Sequence, residues 1–156
     1  MKKFYTVSEA LTLLENFCAY RERCHKEVEE KLRQMDLIPQ AKEHIILSLM
    51  ASDHLNEERY ARAFARGKHR IKHWGKQRIV RELKWRDISP ANIKIALSEI
   101  DAEDYLETLN RIAQKQWQSS SEPDLYKKRK KCFDFLLRKG YEADLIQEVL
   151  ATCENA

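Results

Sequence analysis

Three leucines set the frame of this chain. Leu32, Leu83 and Leu136 are each followed by a turn former four residues on (Asp36, Asp87, Gly140) and an apolar residue five on (Leu37, Ile88, Tyr141). A further apolar residue lies nine beyond that (Ile46, Leu97, Leu150), and the copies stand 51 and 53 residues apart. Asp and Gly tolerate the left-handed backbone that ends a helix, so each copy reads as helix, tight turn, helix. A period of this length marks a repeat architecture, in which each unit buries part of its apolar face against a neighbour.

A further helix is predicted upstream of each pair. Thr6-Val7-Ser8-Glu9 reads as a capping box, followed by Val7, Leu11, Leu14 and Cys18 at helical spacing. Asn56 is placed to cap a helix with Tyr60, Ala63, Phe64, Gly67 and Ile71 on one face; Leu106, Leu109, Ala113 and Trp117 line another. Ser89-Pro90, a cap and a first-turn proline, opens a helix carrying Ile93, Ala96, Leu97 and Ile100. With three Gly, three Pro and no sustained period-two alternation, a sheet has little to build on. The expectation is an all-α fold of three tandem three-helix units, 1–53, 54–101 and 102–156, with Ser119-Ser120-Ser121 a loop in the third. Units this small, stacked in a row, give an elongated body.

Charge is sorted along the array. Between Arg59 and Arg86 lie eleven cations, Arg59, Arg62, Arg66, Lys68, Arg70, Lys72, Lys76, Arg78, Arg81, Lys84 and Arg86, against one acid, Glu82. That segment is net +10 in a chain of net +4, so the middle unit is expected to face a polyanion. Arg59, Arg62, Arg66, Arg70 and His73 advance by three or four as one stripe, a like-charged arrangement that disfavours an isolated helix. On the next helix Arg78, Arg81 and Trp85 fall opposite Ile79, Val80 and Leu83. Trp85 has two readings, a surface aromatic for a base or a partner's pocket, or packing on an adjacent repeat. Trp74, beside Gly75, reads as a plug between helices. A second basic run, Lys127, Lys128, Arg129, Lys130 and Lys131, opens the middle helix of the third unit; with regular stacking it would share a surface with Lys76 and Arg78.

Several classes of function find no support in the residues. No apolar run approaches a membrane span or a signal-peptide core, which suggests a cytosolic protein. Cys18, Cys24, Cys132 and Cys153 have no Cys-x-x-Cys spacing and read as reduced thiols. His69 and His73 are four apart, but Arg70-Ile71-Lys72 between them supplies no glutamate and two cations that would repel a metal. No phosphate-loop or nucleophile-elbow motif occurs, so neither enzyme activity nor a cofactor is expected.

Leu55-Asn56-Glu57-Glu58-Arg59-Tyr60-Ala61-Arg62-Ala63-Phe64 and Gly75-Lys76-Gln77-Arg78-Ile79-Val80-Arg81-Glu82-Leu83, with the turn into Ile88, resemble the RecX family of bacterial recombination regulators. Arg21-Glu22-Arg23-Cys24-His25-Lys26-Glu27-Val28 resembles that family's first-unit motif, and Leu136-Leu137-Arg138-Lys139-Gly140-Tyr141 its last turn. The chain departs from the family at Glu57-Glu58, where two Asp are favoured, at Cys24, where Ser is favoured, and at Asp36 and Asp87, where Gly is favoured. The resemblance implies a curved array of three-helix units. It also implies a monomer that binds the RecA recombinase and modulates, most often inhibits, its filament on single-stranded DNA, limiting strand exchange, ATP hydrolysis and the co-protease activity behind the SOS response. The basic residues named above would meet RecA or DNA. The competing expectation from the residues is an autonomous helical DNA-binding module or transcription regulator whose helix near 76–86 enters a groove.

Overall fold

Polar side chains mark where helices begin. Thr6 Oγ1 accepts the Glu9 N–H at 3.1 Å, Asn56 Oδ1 that of Arg59 at 2.9 Å, and Ser89 Oγ that of Asn92 at 3.3 Å. Asp101 and Asp124 do the same for Asp104 and Tyr126. Each such cap stabilises its helix by about 0.5–2 kcal/mol. The computed structural model describes residues 3–155, among which there are nine helices. They are α1 (Val7–Tyr20), α2 (His25–Arg33), α3 (Pro39–Ala51), α4 (Glu57–Lys72), α5 (Lys76–Trp85), α6 (Pro90–Leu97), α7 (Ala102–Ser119), α8 (Leu125–Lys139) and α9 (Ala143–Asn155).

The helices pack in threes. In each triplet the first and third lie against one another: α1 on α3, α4 on α6, α7 on α9. Of the nine landmark residues, Leu32, Leu83, Ile88, Leu136, Tyr141 and Leu150 are buried and Leu37, Ile46 and Leu97 are half-buried. Asp87 (φ 60°) and Gly140 (φ 104°) adopt the expected left-handed backbone. Asp36 does not. It lies in β2 (Met35–Asp36), a two-residue strand paired in parallel with β1 (Lys3–Phe4), whose distant backbone offers hydrogen bonds that a helix end leaves unmade.

Two apolar faces differ from the expected ones. On α4 the buried residues are Tyr60, Ala61, Ala65 and His69; Ile71 is 76% exposed, and a side chain at Gly67 would meet open space. On α7 they are Tyr105, Thr108, Leu109 and Ala113, with Leu106 exposed. On α4 the small Ala61 and Ala65 let α6 approach closely, and at the end of α4 and on α7 ring contacts, not the local pattern of large residues, mark the inward face. His69 and Tyr105 stack at 5.5 Å, and Tyr105 and Tyr141 at 5.2 Å.

Burial divides the molecule unequally. Ala10, Leu14, Val28, Leu32, Ile45 and Leu49 form a core of the first triplet alone. The second and third triplets share one continuous core that includes Ile79, Leu83, Leu109, Leu136 and Tyr141. Cys24, the residue before α2, packs into that larger core. The accessible surface, 9831 Å², exceeds the roughly 8,200 Å² expected of a compact monomer of this mass, as an extended array requires.

Candidate interaction surface

The second and third units are joined backbone to backbone. The C-terminus of α8 meets the N-terminus of α5: the Gly75 N–H donates to the Lys139 carbonyl at 2.7 Å and the Gln77 N–H to the Gly140 carbonyl at 2.9 Å. Orphan amides of one helix thus satisfy orphan carbonyls of another, and opposite dipole ends face each other. Tyr141 donates to the His73 carbonyl at 2.8 Å, and Tyr105 accepts from the Lys76 N–H at 2.9 Å while donating to Glu142. The joint depends on two glycines. A Cβ on Gly75 would overlap the Gly140 carbonyl, and one on Gly140 would stand 2.6 Å from the Arg78 nitrogen.

The basic segment divides into paired and unpaired cations. Arg59 donates to Glu22 at 2.6 Å and Asp53 at 2.9 Å. Arg62 and Arg66 share Glu99 at 3.0 and 3.4 Å, and Arg62 also approaches Glu58. Hydrogen bonds from Arg62, then Arg66, hold the Glu99 carboxyl below its ordinary range. The expected arginine stripe is therefore largely neutralised by acids that the fold brings to it, and only its lower end remains open. Arg70, Lys72, Arg81 and Lys84 are exposed and have no carboxylate partner among the described residues. The joint adds Arg138 and Lys139: Arg78 reaches the Arg138 carbonyl at 3.3 Å and Lys139 the Lys72 carbonyl at 3.0 Å. Arg78, Arg81 and Arg138 line one surface depression. Arg78 also lies 4.2 Å over Trp74, Lys68 5.0 Å over the same ring, and Lys76 4.8 Å over Tyr105.

The second basic run is not a free extension of this surface. Arg129 pairs with Glu154 at 2.8 Å, Lys130 with Asp134 at 3.2 Å, Lys131 with Glu122 at 2.9 Å, and Lys128 covers Trp117 at 4.2 Å. Only Lys127 is left without such a partner among the described residues. The run also lies about 10–16 Å along α8 from Arg138.

Trp85 ends α5 with two-thirds of its surface exposed. It does not pack into a core. Lys26 of the first unit stands 4.1 Å over its ring and donates to its carbonyl at 2.7 Å. Trp74 meets Phe64 edge-on at 6.2 Å, a half-buried plug between α4 and α5. Glu99 and Glu22, which neutralise the arginine stripe, and Arg138, which extends the free surface, gave no signal in the sequence because their partners are 33 to 60 residues away.

His69 and His73 have separate roles. His69 is buried, and its Nδ1 donates to the Trp74 carbonyl at 3.0 Å. His73 ends α4 in left-handed backbone (φ 58°), and burial, then Arg111, lowers its pKa. Among the described residues no group of three or more His, Cys, Asp or Glu is placed to hold a metal ion, and no helix is long and apolar enough to cross a membrane.

Residues 56–97 match the second three-helix domain of RecX and residues 103–150 the third, together 90 of the 156 residues. The chain belongs to the RecX family. It is 30% identical over 135 residues to a regulatory protein RecX of Clostridium perfringens, covering 85% of this chain and 63% of that one. To the regulatory protein RecX of Oceanobacillus iheyensis it is 25% identical over 145 residues, covering 93% and 53%. It thus spans a little over half of the length of these curated relatives. The crystal structure of RecX from Lactobacillus salivarius superimposes with a TM-score of 0.84 at 25% identity, over 96% of this chain and 97% of that one. The RecX fold therefore covers all three units here, including the first.

Proposed function

We propose that this RecX-family chain binds the RecA recombinase and its filament on single-stranded DNA as a monomer, and inhibits recombinase, ATPase and co-protease activity by binding alone, without catalysis or cofactor. The observation that carries the reading is the surface of Lys72, Arg78, Arg81, Lys84 and Arg138; Arg70 lies apart from it, in a depression shared with Glu99, Asp104 and Glu107. This surface draws cations from two units that share one core, so its spacing is fixed before a partner arrives. A preorganised cationic patch steers a polyanionic filament and loses little entropy on docking. Names of the relatives, all regulatory proteins, support the regulatory part of the reading.

The test is inhibition of RecA's DNA-dependent ATPase by a chain carrying Lys72→Glu, Arg81→Glu and Lys84→Glu. None of the three makes an internal ion pair, so helicity should be unchanged while inhibition falls by at least about tenfold. Undiminished inhibition would remove the patch from the mechanism. Autonomous duplex binding is less favoured. A recognition helix presents its N-terminal residues to the bases, whereas the N-terminus of α5 is sealed against Gly140 and Tyr141.

A further inference from the structure

The groove between the first and second units takes no part in the patch just described. Its volume is about 1030 Å³, large for a small-molecule site and sufficient for several side chains. Phe17 of α1 and Tyr60, Ala63 and Phe64 of α4 give it an apolar lining, and Ala63, with only a methyl group, leaves room beside the two rings. Trp85 stands at its edge with most of its ring uncovered.

Its charges are unevenly satisfied. The three carboxylates along it are each matched from within the chain: Glu22 by Arg59 at 2.6 Å, Glu27 by Arg21 at 2.8 Å and Glu30 by Arg33. Lys31 on α2 and Lys68 on α4 have no carboxylate partner among the described residues and rest over Phe17 and Trp74 at 5.5 and 5.0 Å. Lys26 has only Asp87, at 3.9 Å. An apolar lining with unmatched ammonium groups on both walls is complementary to a ligand that is apolar along one side and anionic along its flanks.

We propose that this groove binds an acidic amphipathic segment of a partner protein, with apolar anchors beside Ala63 and Trp85 and carboxylates on Lys31 and Lys68. A peptide helix or strand offers such a pattern at i, i+3 and i+4, or at alternate residues. A nucleic-acid strand fits less well: it carries a phosphate at every nucleotide and needs cations along its whole track, whereas Glu27 and Glu30 interrupt them on the α2 wall. The groove meets the Lys72–Arg81 patch only at Trp74, where Lys68 and Arg78 lie over one ring, and the test uses the isolated chain with a peptide, so its failure leaves the filament reading untouched.

The experiment is selection of a random 15-residue peptide library displayed on phage against the full chain, with counter-selection on the Lys31→Glu, Lys68→Glu double variant. Enriched peptides are expected to place Asp or Glu around Leu, Ile, Phe or Trp. A fluorescein-labelled consensus peptide should lose at least about tenfold in affinity on the double variant, and again on Ala63→Trp, which fills the groove. The double variant should melt at the temperature of the parent chain, since both lysines are free of structural ion pairs. The proposal is overturned if no acid-rich peptides emerge, or if those that do bind the double variant equally well. It is also overturned if a labelled 20-nucleotide oligothymidylate binds the groove, losing affinity on the double variant, while the peptide does not.

Discussion

Gly75 and Gly140 touch through their backbones: a Cβ on the first would overlap the carbonyl carbon of the second, though 65 positions separate them in the chain. This contact fuses the α4–α5 link of the second unit to the α8–α9 turn of the third. It also brings Arg78 to Arg138 and Lys139 to Lys72.

Gly75→Ala should therefore cost about 1–3 kcal/mol by overpacking. Gly140→Ala should cost more, because φ of 104° adds backbone strain to the collision with Arg78. Gly67, inside α4 with open space where a Cβ would stand, is the contrast: Gly67→Ala should stabilise by about 0.5–1 kcal/mol. Urea unfolding of the three variants measures these differences, and equal effects at Gly75 and Gly67 would contradict the joint.

Glu99 is the acid that removes Arg62 and Arg66 from the cationic surface. Glu99→Gln should make the chain elute from a heparin column at higher salt, by freeing Arg66 for a polyanion and leaving Arg62 with Glu58 alone. Arg81→Glu should elute earlier. Thermal stability of Glu99→Gln should change little, since ion pairs that solvent still reaches contribute little and the amide keeps a hydrogen-bond acceptor for Arg62. An unchanged elution position would show that Arg66 does not face the polyanion even when released.

Burial, then Arg111, keeps the His73 imidazole below the ordinary histidine value of 6.5. Just below that pH the unfolded chain binds this proton and the folded chain does not, so stability should fall as pH drops from 6.5 toward the folded pKa. His73→Asn keeps a residue that tolerates the left-handed turn and removes the titration. Its melting temperature should drop less between pH 7.5 and 5.5 than that of the parent chain. An equal drop would assign the effect to other groups.

Arg59 ties the first unit to the second through Glu22, with further bonds to the Asp53 side chain and carbonyl. Arg59→Ala should cost about 1 kcal/mol. Hydrogen exchange should quicken chiefly in α1–α3, whose core is separate from the rest. Uniform quickening over all nine helices would mean that the first unit does not open independently.

Much of the fold was legible locally. The cap residues Thr6, Asn56 and Ser89, the turn formers Asp87 and Gly140, and the buried leucines Leu32, Leu83 and Leu136 act through neighbours within a turn or two, so residue type and spacing suffice to place them. Asp36 was misread because its partner, β1, lies some 30 residues upstream. Ile71 was misread because α4 turns Ala61, Ala65 and His69 inward, where small residues and a ring fit closely against neighbours. Of the candidate site, the exposed face of α5 followed from periodicity alone. The neutralisation of Arg59 by Glu22, of Arg62 and Arg66 by Glu99 and of Arg129 by Glu154 did not, since an acid far along the chain leaves no trace in local charge.

The sequence by itself determined the helices, their repeat in threes and the concentration of positive charge in the middle unit, because backbone capping, amphipathic spacing and charge count are properties of short segments. Tertiary structure alone decided which of those charges remain available. Ion pairing depends on distances of a few ångströms between residues far apart in the chain, and the packing of α4 on α6, which brings Glu99 to Arg62 and Arg66, sets them, while the Gly75–Gly140 joint brings the remaining cations together.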